Sequence, residues 1–129
     1  MRFAQQDTWL FAVLLIALVV TACGRRTVDV AGIWEGTWIA AETQSTGSFR
    51  VEIRQRGKSL SGPISLSLEW MPQARIEGVV DGQRVRWGVL RERIVIITFE
   101  GRITGNESEG TYTIGPSVRG TWNARRVGR

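Results

Sequence analysis

The 129-residue chain has no histidine, one cysteine (Cys23), one lysine (Lys58) among 17 cationic residues, and three prolines. Without histidine there is no side chain that ordinarily changes charge near neutral pH, and the commonest metal ligand is missing. A single cysteine forms no disulfide within the chain, so the folded part must be held by its apolar core, which one domain of this size can supply. A serine or threonine nucleophile would need a base, and Lys58 stands alone in the turn-like Arg56-Gly57-Lys58. The carboxylates are scattered, and Glu107 and Glu109 flank Ser108 in what reads as a solvated turn. No glycine-rich loop leads into a helix, which removes the usual phosphate cradle. These absences point away from catalysis and give no reason to expect a metal or another cofactor. Long apolar runs are lacking too: the longest, Trp9 to Val20, is 12 residues, short of the roughly 20 that a membrane-spanning helix needs.

That run is nevertheless informative. Arg2 precedes it, and Thr21, Ala22 and Cys23 follow it, giving the charged region, apolar helix and small-residue cleavage site of an export signal. Val20-Thr21-Ala22-Cys23 resembles the lipobox of bacterial lipoprotein signal peptides. The resemblance implies that the Cys23 thiol is alkylated with diacylglycerol and that the chain is cut just before it. Ordinary secretory cleavage after Ala22 would leave the same N-terminus without lipid. Two or three acyl chains hold a protein at a membrane where one binds only reversibly. Gly24 is not the aspartate that retains enteric lipoproteins at the inner membrane, so in a Gram-negative cell the resemblance favours the outer membrane. The expected location is thus a cell membrane or outer membrane, with the domain in the periplasm or at the cell surface. The chain divides into a signal peptide over residues 1–22, a lipidated N-terminus and tether over 23–32, and a domain over 33–129.

Removing residues 1–22 takes away Arg2 and Asp7 and leaves the net charge at +5. In an exported protein this basicity is not read as nucleic-acid binding. The natural anions are lipid headgroups, with Arg25 and Arg26 beside the anchor, or a polyanionic component of the envelope.

From Ile33 onward the sequence alternates. Phe49, Val51 and Ile53 oppose Arg50, Glu52 and Arg54, and Val85, Trp87 and Val89 oppose Arg84 and Arg86. A period of two puts one face in a core and the other in water. Turn signals recur at Arg56-Gly57-Lys58, Asp81-Gly82, Gly105-Asn106 and Gly115-Pro116. They delimit strands near 33–41, 47–56, 59–67, 74–81, 84–91, 94–104, 109–114 and 118–126. Eight strands with short connections and no long crossover predict an all-β protein, a small antiparallel up-and-down barrel preceded by the signal-peptide helix. The remaining Gly24 to Ala31 reads as an extended tether.

Gly32, Trp34, Gly36 and Trp38 share one face of the first strand, and Gly120 and Trp122 repeat the device in the last. First and last strands must meet if the sheet closes. Gly32-Ile33-Trp34 resembles the Gly-x-Trp with which lipocalins and their calycin relatives, avidin-like proteins included, enter their first strand. That resemblance implies a tryptophan plugging one barrel end with an arginine from near the C-terminus across it. Arg126, in phase with Trp122, is the candidate for this barrel-closing cation-π contact, and Arg125 is second. The chain departs from lipocalins in its shortness, its missing C-terminal helix signal and its lack of a disulfide, and these departures bear on the cavity.

The candidate ligand-contacting residues are Trp34, Trp38, Trp87 and Trp122, together with Trp70, which precedes Met71 and Pro72 at a strand end. Trp70 and Met71 would form either a lid or partner contact or a plug folded into the mouth. Two functions compete. In one, a filled barrel binds an envelope protein or polyanion through its outer surface, especially if Arg50, Arg54, Arg84 and Arg86 form one patch; calycin-like inhibitors of secreted proteases are the family precedent. In the other, the barrel carries a small apolar ligand. The bulk of Trp34, Trp38, Phe49, Ile53, Trp87, Phe99 and Trp122 predicts a mostly filled interior.

Overall fold

The computed structural model describes residues 27–129. Cys23 and the signal-peptide helix lie outside the described residues. Eight antiparallel strands follow one another round a closed barrel: β1 (Gly32–Ala40), β2 (Thr46–Arg56), β3 (Ser59–Leu66), β4 (Gln73–Asp81), β5 (Arg84–Arg91), β6 (Ile94–Thr104), β7 (Glu107–Ile114) and β8 (Val118–Gly128). Closure is made by β1 on β8, with Trp38 opposite Trp122 and Gly36 opposite Ala124. The chain enters at the lower end, where the β2–β3, β4–β5 and β6–β7 turns and the C-terminus also lie. The other connections form the upper end.

Three local features differ from the sequence reading. Strand β7 begins at Glu107, because Ser108 is not in a turn: it is buried and its hydroxyl donates to the Arg102 carbonyl at 2.9 Å. Strand β8 runs on to Gly128, which pairs with Ile33. Of the tether read from Gly24 to Ala31, the described part is docked: Val30 is fully buried and Val28 packs against the core.

Alternation along the strands sends the apolar side chains inward. The outward face carries Glu35, Arg50, Glu52, Arg86, Glu100 and Glu109, which interrupts any continuous apolar band of the kind that surrounds a membrane-spanning barrel.

The interior is narrow, and most of its large rings fit because they face a glycine across the ladder; Trp34 and Phe99 are the exceptions. Phe49 pairs with Gly36 and Trp38 with Gly47. Trp87 pairs with Gly78, and Trp122 and Tyr112 pair with Gly110 and Gly120. A Cβ at Gly78 would stand 2.6 Å from Trp87 Cβ and against the Arg86 carbonyl. A strand glycine costs stability unless a ring or a backbone takes the vacated space, and here rings take it.

The two-residue turns differ between the ends. The lower ones place glycine at their first central position, with φ of 60°, 59° and 61° at Gly57, Gly82 and Gly105. At the upper end the β5–β6 turn holds Glu92 and Arg93 at φ 52° and 70°. Left-handed backbone costs a residue with a Cβ about 1 kcal/mol or more, which glycine avoids.

Two opposite substitutions test this account by denaturant unfolding. Gly78→Ala is expected to lower stability by about 1–3 kcal/mol through overpacking. Arg93→Gly, adding glycine where the backbone is already left-handed, is expected to raise it by roughly 1 kcal/mol.

Candidate functional site

The lower mouth is closed by the chain's own N-terminal segment. Val28, Val30, Gly32 and Trp34 share a parity, so Val30 continues the inward face of β1 into the opening. Gln55, inward at the end of β2, accepts from the Val30 amide at 2.7 Å and donates to the Val28 carbonyl at 2.9 Å. The Trp34 indole donates to the Val30 carbonyl at 2.9 Å.

Across this segment lies Arg126. Its guanidinium carbon is 4.8 Å from the Trp34 ring centroid, and its side chain is 6% exposed. It donates to the carbonyls of Ala31 at 3.2 Å, Asp29 at 2.7 Å and Gly105 at 3.3 Å. Its Nε is buried without a partner. Burial first, and the Arg129 charge second, pull the Arg126 pKa down, with Asp29 opposing them. Asp29 in turn is held below the usual carboxylate range, chiefly by the hydrogen bond from Arg129 at 2.7 Å and then by the Ala31 amide. A desolvated cation over an indole contributes about 2 kcal/mol, and the three carbonyls add satisfied hydrogen bonds. Arg125 points outward and pairs with Glu107 at 3.5 Å.

Above this staple the barrel is filled. Phe49 is the hub, with ring centroids of Phe99, Trp87, Trp38 and Trp122 at 5.5, 5.7, 6.2 and 6.3 Å. Trp87 stacks on Phe99 at 4.0 Å, and the Trp122 indole donates to the Glu100 and Thr111 carbonyls at 3.1 and 3.0 Å. Trp34, Trp38, Trp87 and Trp122 are thus brought together as core. The void among Trp34, Trp87 and Trp122 measures about 10 Å³, room for one water at most.

At the upper end Met71 folds into the mouth, 3% exposed, while its neighbour Trp70 remains 50% exposed. The loop therefore splits the two roles, plug and contact, between adjacent residues. Ile94 and Val118, at 64% and 42% exposure, stand on the same rim as Trp70. The four arginines weighed as one patch are not one: Arg50 and Arg54 lie on β2, Arg84 and Arg86 on β5, with β3 and β4 between them. Arg50 pairs with Glu35 at 2.7 Å and Arg86 with Glu100 at 3.4 Å.

No arrangement for acid–base or metal chemistry is formed among the described residues. No group of three His, Cys, Asp or Glu side chains converges. The Ser108 hydroxyl is committed to a carbonyl, and burial pushes the Tyr112 phenol above its ordinary range.

Asp29, Val30, Gln55 and Arg129 were not singled out from the sequence. The alternation of Val28 and Val30 with Asp29, in phase with Gly32 and Trp34, is the signal that marks the segment as a continuation of β1's inward face.

No family model and no curated protein matches the chain. Among solved structures, a substitution variant of the fluorescent protein UnaG is similar in part, with 14% identity and a TM-score of 0.45 over 78% of this chain and 97% of that one.

Arg126→Ala is expected to cost about 3 kcal/mol, from the lost cation-π contact and the stranded carbonyls, and to expose the Val28–Ala31 amides to hydrogen exchange. Arg126→Lys should rescue little, because an ammonium cannot fork to three carbonyls. Because the folded pKa of Asp29 is lowered, its contribution is complete at neutral pH. That contribution is lost as pH falls from about 4, the unfolded value, through the lower folded one. Asp29→Asn should remove this part of the acid dependence in a pH-resolved unfolding series.

Proposed function

We propose that the protein is a membrane-anchored lipoprotein whose barrel is a non-catalytic binding module of the bacterial envelope, working through its outer surface. The observation that carries the second half of this reading is the filled interior. A site for a drug-sized molecule needs about 300 Å³ or more, and the interior void among Trp34, Trp87 and Trp122 measures about 10 Å³. A carrier of a small apolar ligand would have to open the Met71 loop and repack the aromatic core. The contact surface then falls to the upper rim, where Trp70, Ile94 and Val118 stand exposed at three successive connections.

The anchor rests on the lipobox-like Val20-Thr21-Ala22-Cys23. It fits the position of the first docked residue, Val28, at the lower mouth. Val28 is five steps along the chain from Cys23, a reach of roughly 17 Å when extended. The lower end is therefore held near the membrane, and the upper rim faces away from it.

Two measurements on the full-length protein in an exporting bacterium test the anchor. The membrane-extracted protein should have the intact mass of residues 23–129 plus acyl lipid, and Cys23→Ala should move it from the membrane to the soluble fraction. An unmodified mass beginning at residue 23 would remove the anchor from the account.

A further inference from the structure

We infer that the lower end of the barrel is itself a docking surface for anionic phospholipid headgroups, arranged as a ring of arginines around the point where the N-terminal segment leaves the domain. The inference deepens the anchored reading above, but its charge argument stands on the folded domain alone.

The lower rim is rich in cations. Three carboxylates at this end are already engaged: Asp29 with Arg129 at 2.7 Å, Asp81 with Lys58 at 3.4 Å, and Glu107 with Arg125 at 3.5 Å. Arg54, Arg56, Arg84 and Arg102 are all exposed and have no carboxylate ion pair among the described residues. Glu52 stands one outward position above Arg54 on β2, and Glu109 lies level with Arg102 across the β6–β7 ladder without forming an ion pair with it. At the upper end, by contrast, Arg75, Arg91, Arg93 and Arg119 are interspersed with Glu42, Glu69 and Glu92.

The arrangement of the four lower arginines selects the partner. Arg54 and Arg56 end β2, Arg84 opens β5, and Arg102 lies near the foot of β6. Two flanks of one barrel end are therefore charged, with the mouth between them. A groove or pocket ligand would meet one flank only. A plane laid across the barrel axis meets both, and an anionic bilayer is such a plane. The chain leaves the described domain at this same end, preceded in sequence by Arg25, Arg26 and the apolar run from Trp9 to Val20. Cationic residues near an anionic leaflet act over about a Debye length, roughly 8–10 Å at physiological ionic strength. Arginines at the foot of the barrel lie within that distance only when the lower end faces the membrane.

The barrel closes and fills its core with residues 28–128, so residues 24–129 without the lipid can be tested directly. The assay is cosedimentation with vesicles of phosphatidylcholine, with and without about one-third phosphatidylglycerol, at low and high salt. Binding should require phosphatidylglycerol and disappear in about 0.5 M salt. The quadruple variant R54Q/R56Q/R84Q/R102Q should bind at least tenfold more weakly, while R75Q/R91Q/R93Q/R119Q at the upper end should bind as the parent does. Matched thermal unfolding of the two variants shows whether each has kept its fold. Equal loss in both variants, equal binding to the two vesicle types, or loss only in R25Q/R26Q would overturn the inference. Absence of acyl lipid on Cys23 would remove the anchor without altering the vesicle result, so the two readings fail separately.

Discussion

The core of this barrel depends on one steric constraint: a small eight-stranded cylinder can take this many large aromatic rings because the strand opposite most of them offers no side chain. Phe49, Trp38, Trp87, Trp122 and Tyr112 each occupy such a position, facing Gly36, Gly47, Gly78, Gly110 and Gly120. Ring and glycine are complementary, so neither can change alone. Losing the ring opens a void under a flexible backbone, and adding a Cβ drives the ring into its neighbours. The stacked Trp87 and Phe99 and the Phe49 hub then knit β2, β5 and β6 into one core that needs neither disulfide nor helix.

Filling the cylinder decides where function can reside. An eight-stranded barrel stands at the size where side chains either fill the interior or leave space for one small ligand, and this sequence takes the first course. Both mouths are stoppered as well, the lower by Val30 under the Arg126 clasp and the upper by Met71. What remains is the outer surface, and its ends differ. The lower rim gathers arginines around the departing N-terminus, and the upper rim gathers Trp70, Ile94 and Val118. In the proposed anchored orientation, the exposed apolar residues of the upper rim, which stand among charged neighbours, face away from the membrane.

Much of the fold was legible because period-two alternation and glycine turns are local signals. The number of strands, most of their boundaries and the closed order followed from them, and so did the inward placement of Trp34, Trp38, Trp87 and Trp122. The parity of Arg126 with Trp122 identified the arginine that the barrel turns inward, leaving Arg125 outside. Three features were not legible, each for a physical reason. Ser108 reads as a turn residue by type, yet a hydrogen bond to the Arg102 carbonyl lets it lie buried in a strand. Val28–Ala31 reads as a tether because no turn signal separates it from the apolar run and Cys23 before it, and its docking depends on Gln55, about 25 residues away. The four outer arginines alternate alike in sequence, but strands β2 and β5 are not neighbours, and the ordering of strands round the cylinder is a property of the closed sheet.

A filled barrel that acts through its surface carries no cargo. Native mass spectrometry of residues 24–129, exported and purified under gentle conditions, should therefore find the mass of the polypeptide alone. A discrete co-purifying small molecule of constant mass, bound at one per chain, would contradict this reading and return the function to the interior.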